Sequence, residues 1–369
     1  MRLGLLIYGS LDTISGGYLY DRKLVEALQQ AGDTVEIVNL PWRNYGRHLG
    51  DNFSPGFQQQ LETLDIDLLL QDELNHPSLF WLNQRLQHKV HYPIISIVHH
   101  LRSSEDHPVW IKGVYDWVER RYLNSVDGFV FNSQTTRQVV NQWLSKARSG
   151  KVALPAGDQF DNLPDDRQIS LRCQKAGPLK LLFIGNVIRR KGLHLVLQAL
   201  NRLPVETWQL DIAGSLSVDP GYAATLHHQA GRMKMGAQVI FHGTLSKADL
   251  SRLLWDGQVL VVPSSYEGYG IVYLEAMSFG VLPLASTAGA AQEIITHGQD
   301  GFLVDPQDAG GLAAIIQDLY QDREKLCRMS LAARQRFVLQ PTWAQTTHTI
   351  RNFLISFLRD WNSHEKSRS

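Results

Sequence analysis

Two glutamates eight positions apart, Glu267 and Glu275, bracket a glycine-flanked turn in Ser264-Ser265-Tyr266-Glu267-Gly268-Tyr269-Gly270-Ile271-Val272-Tyr273-Leu274-Glu275-Ala276. An apolar run at 259–263 precedes the turn, and a helix pattern follows it. At a helix start the N–H groups of Gly268, Tyr269, Gly270 and Ile271 have no intrahelical acceptor. Unpaired donors and the helix dipole both favour phosphate there. Glu275, on the first turns of the helix, can accept hydrogen bonds from ribose hydroxyls. Glu267, ahead of the turn, can reach the hydroxyls of a sugar. This layout suits the pyrophosphate of a nucleotide sugar. A plain strand-to-helix turn with solvated glutamates is the reading these thirteen residues leave open beside it.

Other loops carry weaker signals. Ser15-Gly16-Gly17 follows the first apolar run, and its adjacent glycines allow backbone to approach a ligand closely or simply make a turn. Gly185-Asn186-Val187-Ile188-Arg189-Arg190-Lys191-Gly192 sets three cations before a glycine and a helix. Lys191 can balance diphosphate charge, and Arg189 or Arg190 can add a forked contact, unless the run is only a solvated basic loop. His242-Gly243-Thr244-Leu245 ends a strand pattern; its main chain can read a nucleobase edge or make an ordinary turn. His99-His100 ends another strand, in the layer where catalysis occurs on such sheets, although single histidines are commonly structural. There is no GxGxxG fingerprint, no Walker loop, no HExxH or other metal spacing, and no GxSxG elbow.

These loops need elements to hold them. In the first half, strand patterns at 3–8, 34–40, 67–71, 94–98 and 128–132 alternate with helix patterns at 20–30, 109–123 and 135–144. Breakers crowd 155–166, and the alternation restarts with strands at 179–184, 209–213, 239–241, 259–262, 282–285 and 302–304. Alternation of this kind implies parallel sheets with helices on both faces. The expected organisation is therefore α/β, with doubly wound domains at 1–166 and 167–344. Ligands bind at the carboxyl ends of strands in such sheets, so a cleft between the two domains is the expected site. An amphipathic helix covers 345–361, followed by a polar tail to 369.

A chain of 369 residues exceeds one ordinary core, and 44% apolar with 20% charged residues fits a folded globular protein. Lys+Arg and Asp+Glu are equal at 36, so no global charge points to nucleic acid. Two distant cysteines, Cys173 and Cys327, fit a reducing compartment rather than a disulfide scaffold. No run approaches the roughly 18 apolar residues that span a bilayer, so a soluble, cytoplasmic chain is expected, with peripheral attachment open.

In order, these motifs resemble the retaining GT-B glycosyltransferases of family 4 (glycosyl transferases group 1) along nearly the whole chain. Ser15-Gly16-Gly17 resembles the family's glycine loop, Val98-His99 its strand-ending histidine, and Pro155-Ala156-Gly157-Asp158 its linker entry. Gly185 to Gly192 is similar to its basic loop, Phe241-His242-Gly243 to its base-binding turn, and Glu267 to Glu275 to its Glu-x7-Glu signature. Gly289 to Ile294 with Glu293, Gly301 to Val304, and Thr342-Trp343 continue the pattern. One departure is Asn186, where the family has arginine; Arg189 or Arg190 can compensate. His100 stands where an acidic or small residue is common.

The resemblance implies a GT-B fold of two facing Rossmann-like domains. It implies transfer of a hexosyl unit from a nucleoside diphosphate sugar (UDP-sugar favoured, GDP-mannose the alternative) to a hydroxyl acceptor on a glycan, lipid or small molecule, with retention. His99, Lys191 and Glu267 would be catalytic. Gly16, Gly17, Asn186, Arg190, Lys191, Gly243, Thr244, Leu245, Gly268, Tyr269, Gly270, Ile271 and Glu275 would bind the donor. No cofactor and no obligatory metal are implied. The final helix would cross back to the first domain. The acceptor is open: the aromatic and basic stretch 41–49 can bind a sugar or lipid headgroup. Trp110, Trp117, Arg120 and Arg121 can rest on a membrane or belong to ordinary helix packing. Rival readings are a UDP-sugar epimerase of similar architecture, against which Glu-x7-Glu argues, and a non-catalytic nucleotide-sugar-binding scaffold, which Asn186 alone favours.

Overall fold

The computed structural model describes residues 1–366 other than His88, Asp106 and Lys234, so the last three residues of the polar tail lie outside the described residues. The chain forms two units, one of Met1–Pro155 with residues from 342 onward and one of Ala156–Pro341.

The first unit holds a six-stranded parallel sheet of β1 (Arg2–Tyr8), β2 (Thr34–Leu40), β3 (Leu68–Asp72), β4 (Ile94–Val98), β5 (Gly128–Phe131) and β6 (Ser149–Val152) in the order β2-β1-β3-β4-β5-β6. Strands β3, β4 and β5 are buried throughout, which is why they are mostly apolar; Gln71, Asp72 and Ser96 are the polar exceptions. Chain direction across the sheet reverses between β1 and β3. Such a switch point opens a crevice at the strands' carboxyl ends. The first helix spans Gly16–Gln30 and begins four residues before the expected 20, because the Ser15 hydroxyl accepts the amide of Tyr18 and caps it. Gly16 and Gly17 therefore lie in its first turn and not in a preceding loop.

The second unit repeats the plan with β7 (Leu179–Ile184), β8 (Trp208–Ala213), β9 (Val239–Gly243), β10 (Val259–Val262), β11 (Leu282–Ser286) and β12 (Phe302–Val304), ordered β12-β11-β10-β7-β8-β9. Its switch point lies between β7 and β10. The expected doubly wound parallel sheets are thus both present.

The change of unit falls at Pro155/Ala156, ahead of the expected 166. Packing explains this: Gly157 lies against Leu274, and the Phe160 ring meets Phe279 at 5.4 Å. The chain returns at Thr342, three residues before the expected 345. Its last helix, Trp343–Lys366, packs within the first unit, where the Thr346 hydroxyl donates to the Leu154 carbonyl (2.6 Å) and Arg351 pairs with Asp33 (2.7 Å). Among the described residues no helix is long and apolar enough to cross a membrane.

Candidate active site

In the second unit, the turn after β10 stands at the switch point. Gly270 takes φ +100 and opens the helix Ile271–Ser278; a Cβ there would enter the Tyr273 ring, so only glycine suits. Gly268, Tyr269, Gly270 and Ile271 are all buried. Among the described residues their amides donate to no neighbour. The N–H groups at a helix start have no intrahelical acceptors, and such donors together with the helix dipole favour an anion.

Glu267 precedes this turn. Its carboxylate takes a 2.6 Å ion pair from Lys191 Nζ and a 3.1 Å hydrogen bond from the Ser264 hydroxyl. Burial would raise this carboxyl, but Lys191, Arg190 and the hydrogen bonds outweigh it and hold the group below the usual carboxylate range. Its carbonyl accepts the Ala290 amide at 2.9 Å, which ties the turn to the loop after β11. Glu275 is buried on the helix, with Gln159 donating to it. Burial pushes its carboxyl up to about 7, against the opposing hydrogen bond.

The basic loop after β7 approaches the same turn. Arg190 donates to the Tyr266 carbonyl at 2.8 Å and its own carbonyl accepts the Ser265 amide at 2.8 Å, so it braces the turn. Gly192, at φ +77, lies so close to the Pro263 carbonyl that a side chain would collide with it. Lys191 thus reaches Glu267, while Arg189 is exposed and lies 6.0 Å over the Tyr222 ring. Asn186 sits in the loop between β7 and these cations, with its carbonyl accepting the Ile188 amide. Beyond β8 in the same sheet, Gly243 ends β9 at φ +68; Thr244 is exposed and Leu245 half-buried. His242 is held by Asp211 at 2.7 Å, which fixes the strand end that presents this turn.

The first unit has its own cluster at its own switch point. His99, directly after β4, meets Asp21 from the first helix at 3.2 Å and lies beside Asp72, which ends β3; one ligand-type atom from each falls within 4.8 Å of the others. A Cβ on Gly17 would stand 3.2 Å from the His99 ring, so that glycine makes room for the imidazole. Burial alone would lower His99. The carboxylates of Asp21, Asp72 and Glu73 outweigh it and raise the imidazole to about 9. Asp72 is pushed up to about 7 by burial and by Asp21. Asp21 Oδ2 is buried and makes no hydrogen bond.

Asp21 and Asp72 had no place in the sequence reading. A signal for Asp21 existed: it shares the buried stripe Tyr18, Tyr20, Leu24, Val25 and Leu28, where an aspartate costs free energy unless it is paired. A second cluster, Glu73, His76 and Glu119, is wholly buried deeper in the first unit, with burial pushing Glu73 up to about 8 and Glu119 to about 7. Glu73 and His76 lie three positions apart, but Glu119 joins them from the helix Val109–Leu123, so no spacing announced the whole cluster. His100 instead pairs with Glu105 at 3.0 Å. The aromatic and basic stretch 41–49 contains the start of the helix Tyr45–Asp51; Asn44 caps it and His48 is buried in it, stacked on Tyr8 at 4.0 Å.

Residues 171–336 match the family model described as glycosyl transferases group 1. The glycogen synthase of Mycobacterium tuberculosis is 28% identical over 265 residues, which is 70% of this chain and 61% of that protein. The chain therefore spans less than two thirds of the curated relative. Among solved structures, sucrose-phosphate synthase from Thermosynechococcus elongatus superposes with a TM-score of 0.82 at 21% identity, covering 97% of this chain and 99% of that one. HepE of Anabaena, solved in complex with UDP and glucose, gives 0.77 at 20% identity over 96% and 100%. These likenesses extend over both units and give the chain the GT-B fold. Residues 171–336 thus carry a likeness to the glycosyl transferases group 1.

Proposed function

We propose that this protein transfers a hexosyl unit, with retention, from a nucleoside diphosphate sugar to a hydroxyl acceptor. The observation that carries the reading is the buried turn 268–271, whose unpaired amides stand beside the Lys191–Glu267 pair. A diphosphate is the ligand that would satisfy those donors, and Glu275 lies a short way along the same helix for a ribose. A UDP-sugar is favoured, because HepE, similar in fold, was solved with UDP and glucose.

In this reading the bond between the anomeric carbon and the diphosphate oxygen breaks while the acceptor oxygen bonds to that carbon on the same face. The departing phosphate oxygen takes the acceptor's proton. Lys191 and the turn amides stabilise the charge gathering on the diphosphate, a contribution worth about 10²–10³-fold in rate for one well-aimed donor. They supply the positive charge, so no divalent cation is required. Glu267 orients the sugar; in the first unit, His99, held as imidazolium by Asp21, is a hydrogen-bond donor for a substrate hydroxyl. Asn186, Arg190, Gly243, Thr244 and Leu245 complete the donor site on this reading, Arg190 by bracing the turn. The two free thiols, Cys173 and Cys327, support a reducing, cytoplasmic location.

Release of nucleoside diphosphate from UDP-glucose, with and without added hydroxyl acceptors, tests the reading. Lys191→Ala is expected to slow release at least 100-fold, and Glu267→Ala to cut transfer with a smaller effect on nucleotide affinity. Undiminished turnover in both variants would sink the assignment.

A further inference from the structure

The helix Val109–Leu123 buries Val118, Glu119, Tyr122 and Leu123 on one face. At spacings of four, three and four residues, Trp110, Val114, Trp117 and Arg121 form a separate stripe. Trp110 is 76% exposed and Trp117 52%. The stripe continues onto neighbouring elements of the same unit. Arg121 lies 5.6 Å over Trp117 and 5.0 Å over Trp81, and Trp81 meets Phe53, itself 61% exposed, at 5.8 Å. Arg85 stands 5.9 Å over Phe53 at the far end. Ordinary helix packing does not explain side chains this open.

Burying so much aromatic surface needs a partner, because large contiguous exposed apolar patches mark interaction sites. The charge of the patch says which kind. Segments 52–60 and 80–87, which carry Phe53, Trp81 and Arg85, contain no Asp or Glu. On the helix, Glu119 is buried and Asp116 is paired with Lys112 at 3.0 Å, so neither sets the charge of the stripe. The remaining charges are arginines. Tryptophan and phenylalanine flanked by arginine, along a helix that presents them sideways, is the chemistry of the bilayer interface. Indole rings settle at headgroup depth while guanidinium groups meet anionic phosphates. We infer that this face docks on an anionic lipid surface as a peripheral contact. The inference concerns the first unit alone and holds whatever donor the second unit takes.

The test is co-sedimentation of the full chain with vesicles of phosphatidylcholine alone and with 30% phosphatidylglycerol, at low and high salt. The protein is expected to pellet with the anionic vesicles, with a blue shift in tryptophan emission, and to be released by salt. Arg121→Gln should weaken binding about fivefold, the effect of one cation near a charged surface. Trp110→Ser with Trp117→Ser should weaken it more than tenfold while the melting temperature and its shift with UDP stay unchanged. Three results would overturn the inference: equal pelleting with neutral and anionic vesicles, binding undiminished in the double variant, or a dimer in light scattering that the double variant dissociates without any vesicle binding.

Discussion

Replacing Asp21 by asparagine should move the titration of His99 and, through it, the pH dependence of stability. His99 is raised from its ordinary 6.5 to about 9. At 1.36 kcal/mol for each pH unit, that is about 3 kcal/mol of preference for the imidazolium in the folded protein. Asp21, at 3.2 Å, is its hydrogen-bonded partner. Two unit charges at that distance interact by about 5 kcal/mol at an effective dielectric near 20, enough to supply the whole preference against the opposing effect of burial. Asp72 and Glu73 add smaller contributions from the same side. Asp21→Asn is therefore expected to lower the His99 midpoint to about 7 or below.

The sign of the stability effect follows. A histidine raised in the folded state stabilises fully below about 6.5, and that contribution fades as pH rises through about 9. The variant should melt below the wild type at pH 6, and the gap should close by pH 10. It should then reverse, since neutral His99 leaves a buried Asp21 carboxylate without a counter-charge. Histidine Cε1–H shifts followed by NMR, with His99→Gln assigning the resonance, read the midpoint directly. A wild-type midpoint near 6.5, or one that Asp21→Asn leaves in place, would refute the reasoning.

Glu267→Gln takes the 2.6 Å ion-pair partner from the partly buried Lys191 and should cost up to about 3 kcal/mol of stability by thermal melting. The wild type should lose the same contribution as pH falls below the ordinary carboxylate range, because the Glu267 carboxyl is held low in the folded state. Gly270→Ala meets both a left-handed φ of +100 and the Tyr273 ring, so it should destabilise by more than 1 kcal/mol and abolish nucleotide binding in calorimetry. Glu275, raised to about 7, must lose its proton to accept two ribose hydroxyls, so nucleotide affinity should rise as pH passes from 6 to 8. Glu275→Gln should bind more weakly and flatten that dependence.

The second unit was the more legible in sequence. Leu179–Ile184, Val259–Val262 and Phe302–Val304 are strands with the expected bounds: the first two are central and mostly apolar, the third is a short apolar edge strand, and breakers frame all three. Strand β6 was missed: Ser149-Gly150-Lys151-Val152 lies at the sheet edge, alternately exposed, and offers one apolar side chain. The helices Tyr45–Asp51 and Pro55–Glu62 were missed because each is about two turns long and begins beside proline or glycine, which read as loop. At the candidate site, Lys191, Glu267 and the glycines of the turn could be named because they lie in two short contiguous segments. Asp21, Asp72 and His99 meet only through the β2-β1-β3-β4 order, which no spacing along the chain encodes. The role of Arg190 differs for a similar reason: its guanidinium is spent on the Tyr266 carbonyl, a contact set by the crossover between β7 and β10.

The most direct test of the central claim is calorimetric titration of UDP, GDP, ADP and their glucose and mannose conjugates into the wild type and Lys191→Ala. The account predicts that one nucleoside diphosphate sugar binds clearly above the rest and that Lys191→Ala weakens it at least tenfold. Absence of binding by every nucleotide, or binding that Lys191→Ala leaves unchanged, would contradict it.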